Sequence, residues 1–339
     1  MNRFDYVRAG SLDEAVKASA REATSRVIAG GTNLVDLMKY DVERPSTLVD
    51  ITRIADLGRI EETEAGGLKI GALVTNSAVA YDSRVEERYP LLSRTILSGA
   101  TAQLRNAAST GGNLNQRTRC YYFYDPATPC NKRAPGSGCG AIGGVNRIHA
   151  ILGASASCIA THPSDMCVAL AALEAIVHVS GTQGERTIPF AEFHRLPGDT
   201  PERETNLAPG EIVTAIELPK QGYPEHYTYL KLRDRLSYAF ALVSVAVGLE
   251  MDGGRISAAR IALGGVAHKP WRVPEAEAAL QGKAADEAAF RAAADRLLDG
   301  AQGQGHNDFK IPLAHEAIVR ALGQAAAGTP QTVADKRIK

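Results

Sequence analysis

Apolar residues in the first third of the chain come in short bursts rather than long runs. Val27-Ile28-Ala29 reads as a short buried strand and Thr47-Leu48-Val49-Asp50-Ile51 as another. Leu68-Lys69-Ile70-Gly71-Ala72-Leu73 alternates with period two, as a strand does. Ser11-Leu12-Asp13-Glu14 has capping-box form and predicts a helix through about Ala20. Residues 34–38 read as a helical turn, and residues 91–108 as a mostly helical stretch weakened at Gly99. Pro163 suits the first position of a helix over 164–175. Residues 175–180 and 211–218 read as strands, and 199–209 as a polar, linker-like loop. From about residue 226 a new set begins. The apolar run 238–249 and the alternating 256–263 precede helices from Pro274, Asp286 and Leu313. Mixed elements followed by strands and then helices indicate an α+β chain. The expected units are 1–220 and 221–328, with 329–339 a loose tail.

The 339 residues allow two or three domains, and the 45% hydrophobic content supports a sizeable core. Formal net charge is zero, so nothing attracts a phosphate backbone and nucleic acid is excluded as an expected partner. No run approaches the ~18 apolar residues of a membrane span. Met1-Asn2-Arg3-Phe4-Asp5-Tyr6 has no apolar signal region behind its charge. The expected location is cytoplasmic, or periplasmic through co-export with a signal-bearing partner.

Two glycine pairs change the picture. Gly30-Gly31-Thr32-Asn33-Leu34 and Gly111-Gly112-Asn113-Leu114 echo one another, a Gly-Gly pair followed closely by Asn and Leu. Without Cβ atoms, consecutive backbone N–H groups can point into one concavity that binds phosphate. A tight turn uses Gly-Gly equally well. Two such loops in one chain suit the two phosphates of a dinucleotide. Neither offers Gly-x-Gly-x-x-Gly before a long helix, which disfavours a Rossmann dehydrogenase.

All five cysteines lie between Cys120 and Cys167. Residues 117–146 are rich in Gly, Pro and aromatic residues, with little periodicity. So long an irregular segment needs something to hold it. Cys120, Cys130, Cys139 and Cys158 are spaced too widely for a compact ferredoxin motif or a zinc knuckle, and soft sulfur ligation admits zinc and iron–sulfur alike. Arg117, Arg119, Lys132 and Arg133 can offset thiolate charge, and Tyr121-Tyr122-Phe123-Tyr124 can exclude water. Four reduced thiols, or disulfides formed after export, remain open. Cys167 follows Met166 on the apolar side of a helix and reads as a small hydrophobe.

Arg26-Val27-Ile28-Ala29-Gly30-Gly31-Thr32-Asn33-Leu34, with Met38 after it, resembles the first FAD-binding loop of the FAD-binding medium subunits of the xanthine dehydrogenase, or molybdenum hydroxylase, family. Ser109-Thr110-Gly111-Gly112-Asn113-Leu114 resembles the second. The resemblance continues through Ser164-Asp165-Met166, Pro209-Gly210-Glu211-Ile212, Lys231-Leu232-Arg233 and residues 264–272. Arg117-Thr118-Arg119-Cys120, Pro129-Cys130, Gly138-Cys139 and Ser157-Cys158 resemble the 4Fe-4S insertion of the periplasmic aldehyde oxidoreductase branch.

The resemblance implies a two-part FAD-binding fold of vanillyl-alcohol-oxidase (PCMH) type, carrying an iron–sulfur insertion at about 117–160. A small α+β C-terminal domain of the CO dehydrogenase flavoprotein kind would follow. It implies that the first loop and Thr110 to Asn113 hold the FAD pyrophosphate. Asp165 would meet the ribityl chain, Ile212 would pack near the isoalloxazine, and Lys231 would sit at the ring's polar edge. Cys120, Cys130, Cys139 and Cys158 are implied as cluster ligands. Substrate, an aldehyde or N-heteroaromatic, would react at the molybdenum cofactor of a large partner subunit. Electrons would pass through the 2Fe-2S clusters of a small partner to FAD and on to an external acceptor. A self-sufficient FAD oxidase and a zinc-stabilised assembly module are the rival readings. His162 is either a proton donor near flavin or a helix-capping loop histidine. Tyr238 is either a flavin shield or core.

Overall fold

The computed structural model describes residues 1–331. Among the described residues, eleven strands form three sheets: β1 (Asp5–Arg8), β2 (Arg26–Ile28), β3 (Thr47–Asp50), β4 (Ile60–Glu62), β5 (Leu68–Gly71), β6 (Ile176–Gly181), β7 (Gly184–Pro189), β8 (Ile212–Leu218), β9 (Tyr227–Leu232), β10 (Val243–Asp252) and β11 (Arg255–Gly264). The first sheet is parallel in the order β1-β3-β2, so helices must cross between its strands. The helix Leu12–Ala20 makes one crossover. Its Ser11 Oγ accepts from Glu14 N–H, while Glu14 turns back to Gly10 N–H at 2.8 Å rather than to Ser11. The second sheet is antiparallel in the order β4-β5-β8-β6-β7, and the third runs β11-β10-β9.

Helices Glu287–Leu297 and Lys310–Ala326 cover the third sheet and bury Phe290, Leu297, Ile318 and Leu322 with Val245, Val247 and Ile261. The helix Asp165–Ala172 sits between sheets, and every residue from Met166 to Ala172 is buried. A helix apolar all round is a core helix.

Several expectations needed correction. Residues 91–108 split into helices Pro90–Ser98 and Ala102–Ala107, because Ala100 takes a φ of 51° and Thr101 then caps the second. Pro163 lies outside its helix, and Ser164 is the cap, accepting from Cys167 N–H at 3.1 Å. The run from 238 becomes strand only at Val243, since Tyr238 has a φ of 50°. Strands β1, β4 and β7 escaped the pattern because their residues are mostly exposed. In the expected tail, Gln331 is tied to β9 by its N–H to Thr228 Oγ1 and its Oε1 from Lys231 N–H. Residues 332–339 of that expectation lie outside the described residues. Among the described residues, no helix is long and apolar enough to cross a membrane.

Candidate functional site

A cleft of about 1230 Å³ opens between the parallel sheet, the second glycine loop and the third sheet. Residues 26–34 line it throughout, joined by Gly111, Gly112, Asn113, Asp165, Ile212 and Lys231. The two glycine loops, far apart in sequence, therefore face one space. Their approach needs the missing side chains. A Cβ at Gly30 would lie 2.7 Å from the Ala107 carbonyl carbon and closer still to its oxygen, and one at Gly111 would lie 2.9 Å from Ala72 Cβ. Gly31 has a φ of 69°, which L side chains rarely adopt.

Asn33 is poised differently from Asn113. Its Oδ1 accepts from Arg117 N–H at 2.9 Å, and its buried Nδ2 meets no partner among the described residues, a spare donor on a residue that lines the cleft. Asn113 is held inside the fold, giving to Asn76 Oδ1 at 2.7 Å and accepting from Ser164 and Gln116. Thr110 is buried, its hydroxyl donates to Val74 O, and it does not line the cleft. Its side chain serves the loop.

Asp165 and Lys231 are brought together as a buried ion pair at 2.7 Å, their side chains 11% and 4% exposed. Tyr229 also donates to Asp165 at 2.6 Å, and Lys231 to Ser98 O at 3.3 Å. Burial beside Asp165 raises the Tyr229 phenol well above its ordinary range, so it stays protonated. Tyr238 and Phe240 are half-exposed and line the cleft mouth.

Nothing in the sequence pattern singles out Glu204. It stands in the loop read as a linker, yet it accepts from Lys132 Nζ at 2.7 Å and Arg117 Nη2 at 3.2 Å. Arg117 also pairs with Glu43, and Glu43 with Arg26 at 3.2 Å. These five side chains join the first loop, the cysteine segment and residues 199–209 along one wall. Burial pushes the Glu204 carboxyl up, but Arg117 and Lys132 outweigh it and hold it well below the usual range.

Cys120, Cys130, Cys139 and Cys158 are free and converge with Leu37, Phe123, Ile159 and Ala160. Cys130 and Cys139 face each other across an isolated antiparallel bridge. Burial pushes the Cys120 thiol up to about 12 and the Cys158 thiol up to about 11, against nearby backbone N–H groups. Such sulfurs ionise readily only with a cation among them. Zn–S bonds of ~2.3 Å place tetrahedral sulfurs ~4 Å apart. Among the described residues, the group whose ligand atoms all lie within 4.8 Å is instead His162, Cys167 and His194. The sulfurs of Cys120, Cys130, Cys139 and Cys158 do not form such a group, so a single tetrahedral ion does not fit them as they stand. Beside that trio, His194 Nε2 donates to Leu114 O and His268 Nδ1 to Arg195 O. His162 Nδ1 lies 3.4 Å from Ser164 N–H, at the helix cap.

Residues 2–221 match the family described as the FAD binding domain in molybdopterin dehydrogenase, and 227–325 match the CO dehydrogenase flavoprotein C-terminal domain. The chain is 48% identical to the aldehyde oxidoreductase FAD-binding subunit of Escherichia coli (strain K12), across 96% of this chain and 99% of that one. It belongs to the FAD-binding medium subunits of the molybdenum hydroxylases. A second relative of this medium-subunit family, the glyceraldehyde dehydrogenase medium chain of Sulfolobus acidocaldarius, is 30% identical across 83% of this chain and 82% of that one. The solved carbon monoxide dehydrogenase of Hydrogenophaga pseudoflava aligns at a TM-score of 0.76 and 28% identity, covering 96% of this chain and 98% of its own. As a medium subunit of this kind the chain is an FAD-binding oxidoreductase subunit, with the mixed α+β fold of its relatives. The cleft suits FAD on its own terms: side-chain-free loops, a spare Asn33 donor and a buried Asp165–Lys231 pair share one cavity.

Proposed function

We propose that this chain is the electron-transfer subunit of a molybdenum-dependent aldehyde oxidoreductase and carries a 4Fe-4S cluster beside its FAD. The observation that carries the reading is the shared wall. Arg117 and Lys132, from the cysteine segment, and Arg26, from the first glycine loop, meet through Glu43 and Glu204. Both relatives named above for their aldehyde chemistry support the substrate class. The partners are a large subunit with the molybdenum cofactor and a small subunit with 2Fe-2S clusters, and an external acceptor takes the electrons. Residues 1–220 carry the FAD site and the insertion, and 221–328 close over it.

Bound FAD exchanges electrons one or two at a time, which lets it join cluster relays to a two-electron acceptor. The chain's own residues bind and bias it. Gly30 and Gly31 present backbone N–H groups to the pyrophosphate, with Thr32 and Asn33 adding side-chain donors, while Gly111 and Gly112, whose own N–H groups go to Ala72 O and Ser109 Oγ, bring the second loop close. Asp165 accepts from a ribityl hydroxyl. Lys231 keeps a positive charge near the ring edge, favouring the electron-rich reduced cofactor. Ile212 gives the ring an apolar neighbour. Cys120, Cys130, Cys139 and Cys158 supply the cluster thiolates, and the buried Lys132 offsets part of their charge.

The test is an absorbance spectrum of anaerobically purified protein with flavin and metal counts. One FAD and about four irons per chain, bleached by reductant, are expected. Flavin without iron would refute the cluster, and stoichiometric zinc would place a structural ion there. Aldehyde turnover by the chain alone would overturn the electron-transfer role. Asn33→Ala should lower FAD affinity roughly ten- to a hundredfold, the worth of a hydrogen bond to a charged acceptor. Flavin fluorescence quenching on reconstitution reads it, and unchanged affinity would remove Asn33 from the phosphate site.

A further inference from the structure

One buried side chain in the cysteine segment has no part in the function proposed above. His149 is 1% exposed, and its Nε2 lies 3.1 Å from the Cys120 sulfur. Its Nδ1 is buried and meets no hydrogen-bond partner among the described residues. A neutral imidazole has one N–H to give. Among the described residues the Cys120 sulfur is the acceptor at hydrogen-bond distance from a ring nitrogen, so the proton is placed on Nε2 and the bond runs from ring to sulfur.

The ring is held in that pose. The His149 carbonyl accepts from Lys310 Nζ at 2.8 Å and Asn307 Nδ2 at 3.1 Å, and its N–H donates to Asn146 O at 3.0 Å. Tyr122 lies against the imidazole with centroids 6.3 Å apart. Cys158 receives only a backbone N–H, from Ala160 at 3.4 Å. Among the described residues, Cys120 alone of the four sulfurs has a side-chain donor.

We infer that His149 sets the reduction potential of the cluster by donating its Nε2–H to the Cys120 thiolate, an inference that rests on the cluster reading above. A donor to a ligand sulfur draws electron density from the cluster and stabilises the reduced, more negative state, which raises the potential. His149 touches no substrate and is a positioning residue acting through Cys120.

The experiment is an EPR-monitored redox titration of the full chain, purified anaerobically with its iron and flavin counted. His149→Phe keeps the ring and removes the donor, whereas His149→Gln keeps an amide N–H at similar reach. The cluster midpoint should fall in the phenylalanine variant and return towards wild type in the glutamine variant, with the flavin midpoint unmoved. A phenylalanine variant with full iron and a wild-type midpoint overturns the inference and leaves the cluster standing. Should that variant lose its iron, wild-type protein labelled with 15N-histidine decides. Pulsed EPR of the reduced cluster should show coupling to one imidazole nitrogen, and its absence overturns the inference. Wild-type protein with flavin but no iron sinks the cluster reading and this inference together, before any titration is run.

Discussion

Gly30→Val is expected to abolish flavin binding and to destabilise the chain by more than the ~1–3 kcal/mol of ordinary overpacking. The reason is backbone against backbone. Gly30 sits so near the Ala107 carbonyl that even one methyl group would overlap it, and no rotamer relieves a clash with main chain. Either the first loop retreats from the helix Ala102–Ala107, or that helix shifts and drags Ala108 and the second loop with it. Both movements part the two loops proposed to close on the FAD pyrophosphate. Flavin absorbance per chain and a thermal melt measure the outcome. A variant with full flavin and an unchanged Tm would show that the loops need no such intimacy. Gly112→Ala is the milder comparison, because its Cβ would meet only the Ser109 hydroxyl, at 2.9 Å.

Acidification from about pH 6.5 to about pH 4 should cost this chain several kcal/mol through its buried histidines. His194 and His268 are buried, and burial pushes each down to about 4, while His162 is driven well below its ordinary value. Unfolded, each would bind a proton near pH 6.5. Across that window the unfolded chain takes up protons that the folded chain refuses, so the stability these groups contribute is present above about 6.5 and lost as pH falls towards 4. Each histidine shifted to about 4 is worth about 3 kcal/mol. Glu204 adds its own loss further down. Its folded pKa is depressed, so its contribution is present above about 4.5 and disappears as pH falls lower. Denaturant melts at stepped pH read the slope. His194→Gln and His268→Asn keep donors towards Leu114 O and Arg195 O while removing the titration, and both should flatten it. A slope unaltered in the double variant would mean that these rings titrate normally.

How much of this was legible in the sequence varied with the kind of order involved. The Ser11 cap and the alternation of Leu68 to Gly71 are local patterns that survive folding, and the apolar run from 238 survives as strand from Val243 onward. The glycine loops were legible because absence of a side chain is itself a residue identity. Asp165 and Lys231 were named singly, but a sequence separation of 66 hid that they bind each other. Glu204 was invisible for a related reason. A glutamate in a polar loop normally faces water, and only Lys132 and Arg117 arriving from the cysteine segment make it a buried anion. Thr110, expected with Gly111 to Asn113 at the pyrophosphate, gives its hydroxyl to Val74 O and stands outside the cleft lining.

The grip on His149 has a consequence for how the molecule is made. Lys310 and Asn307 hold the His149 carbonyl, and Asn146 reaches Gln304, so the enclosure of the sulfurs is completed by residues translated long after Cys158. Until the C-terminal helix has left the ribosome, the cysteine loop lacks its lid and its thiols stay open to the surroundings. On the cluster reading proposed above, metallation would then be a late step of biogenesis, and a nascent chain released early would present bare thiols rather than a finished centre.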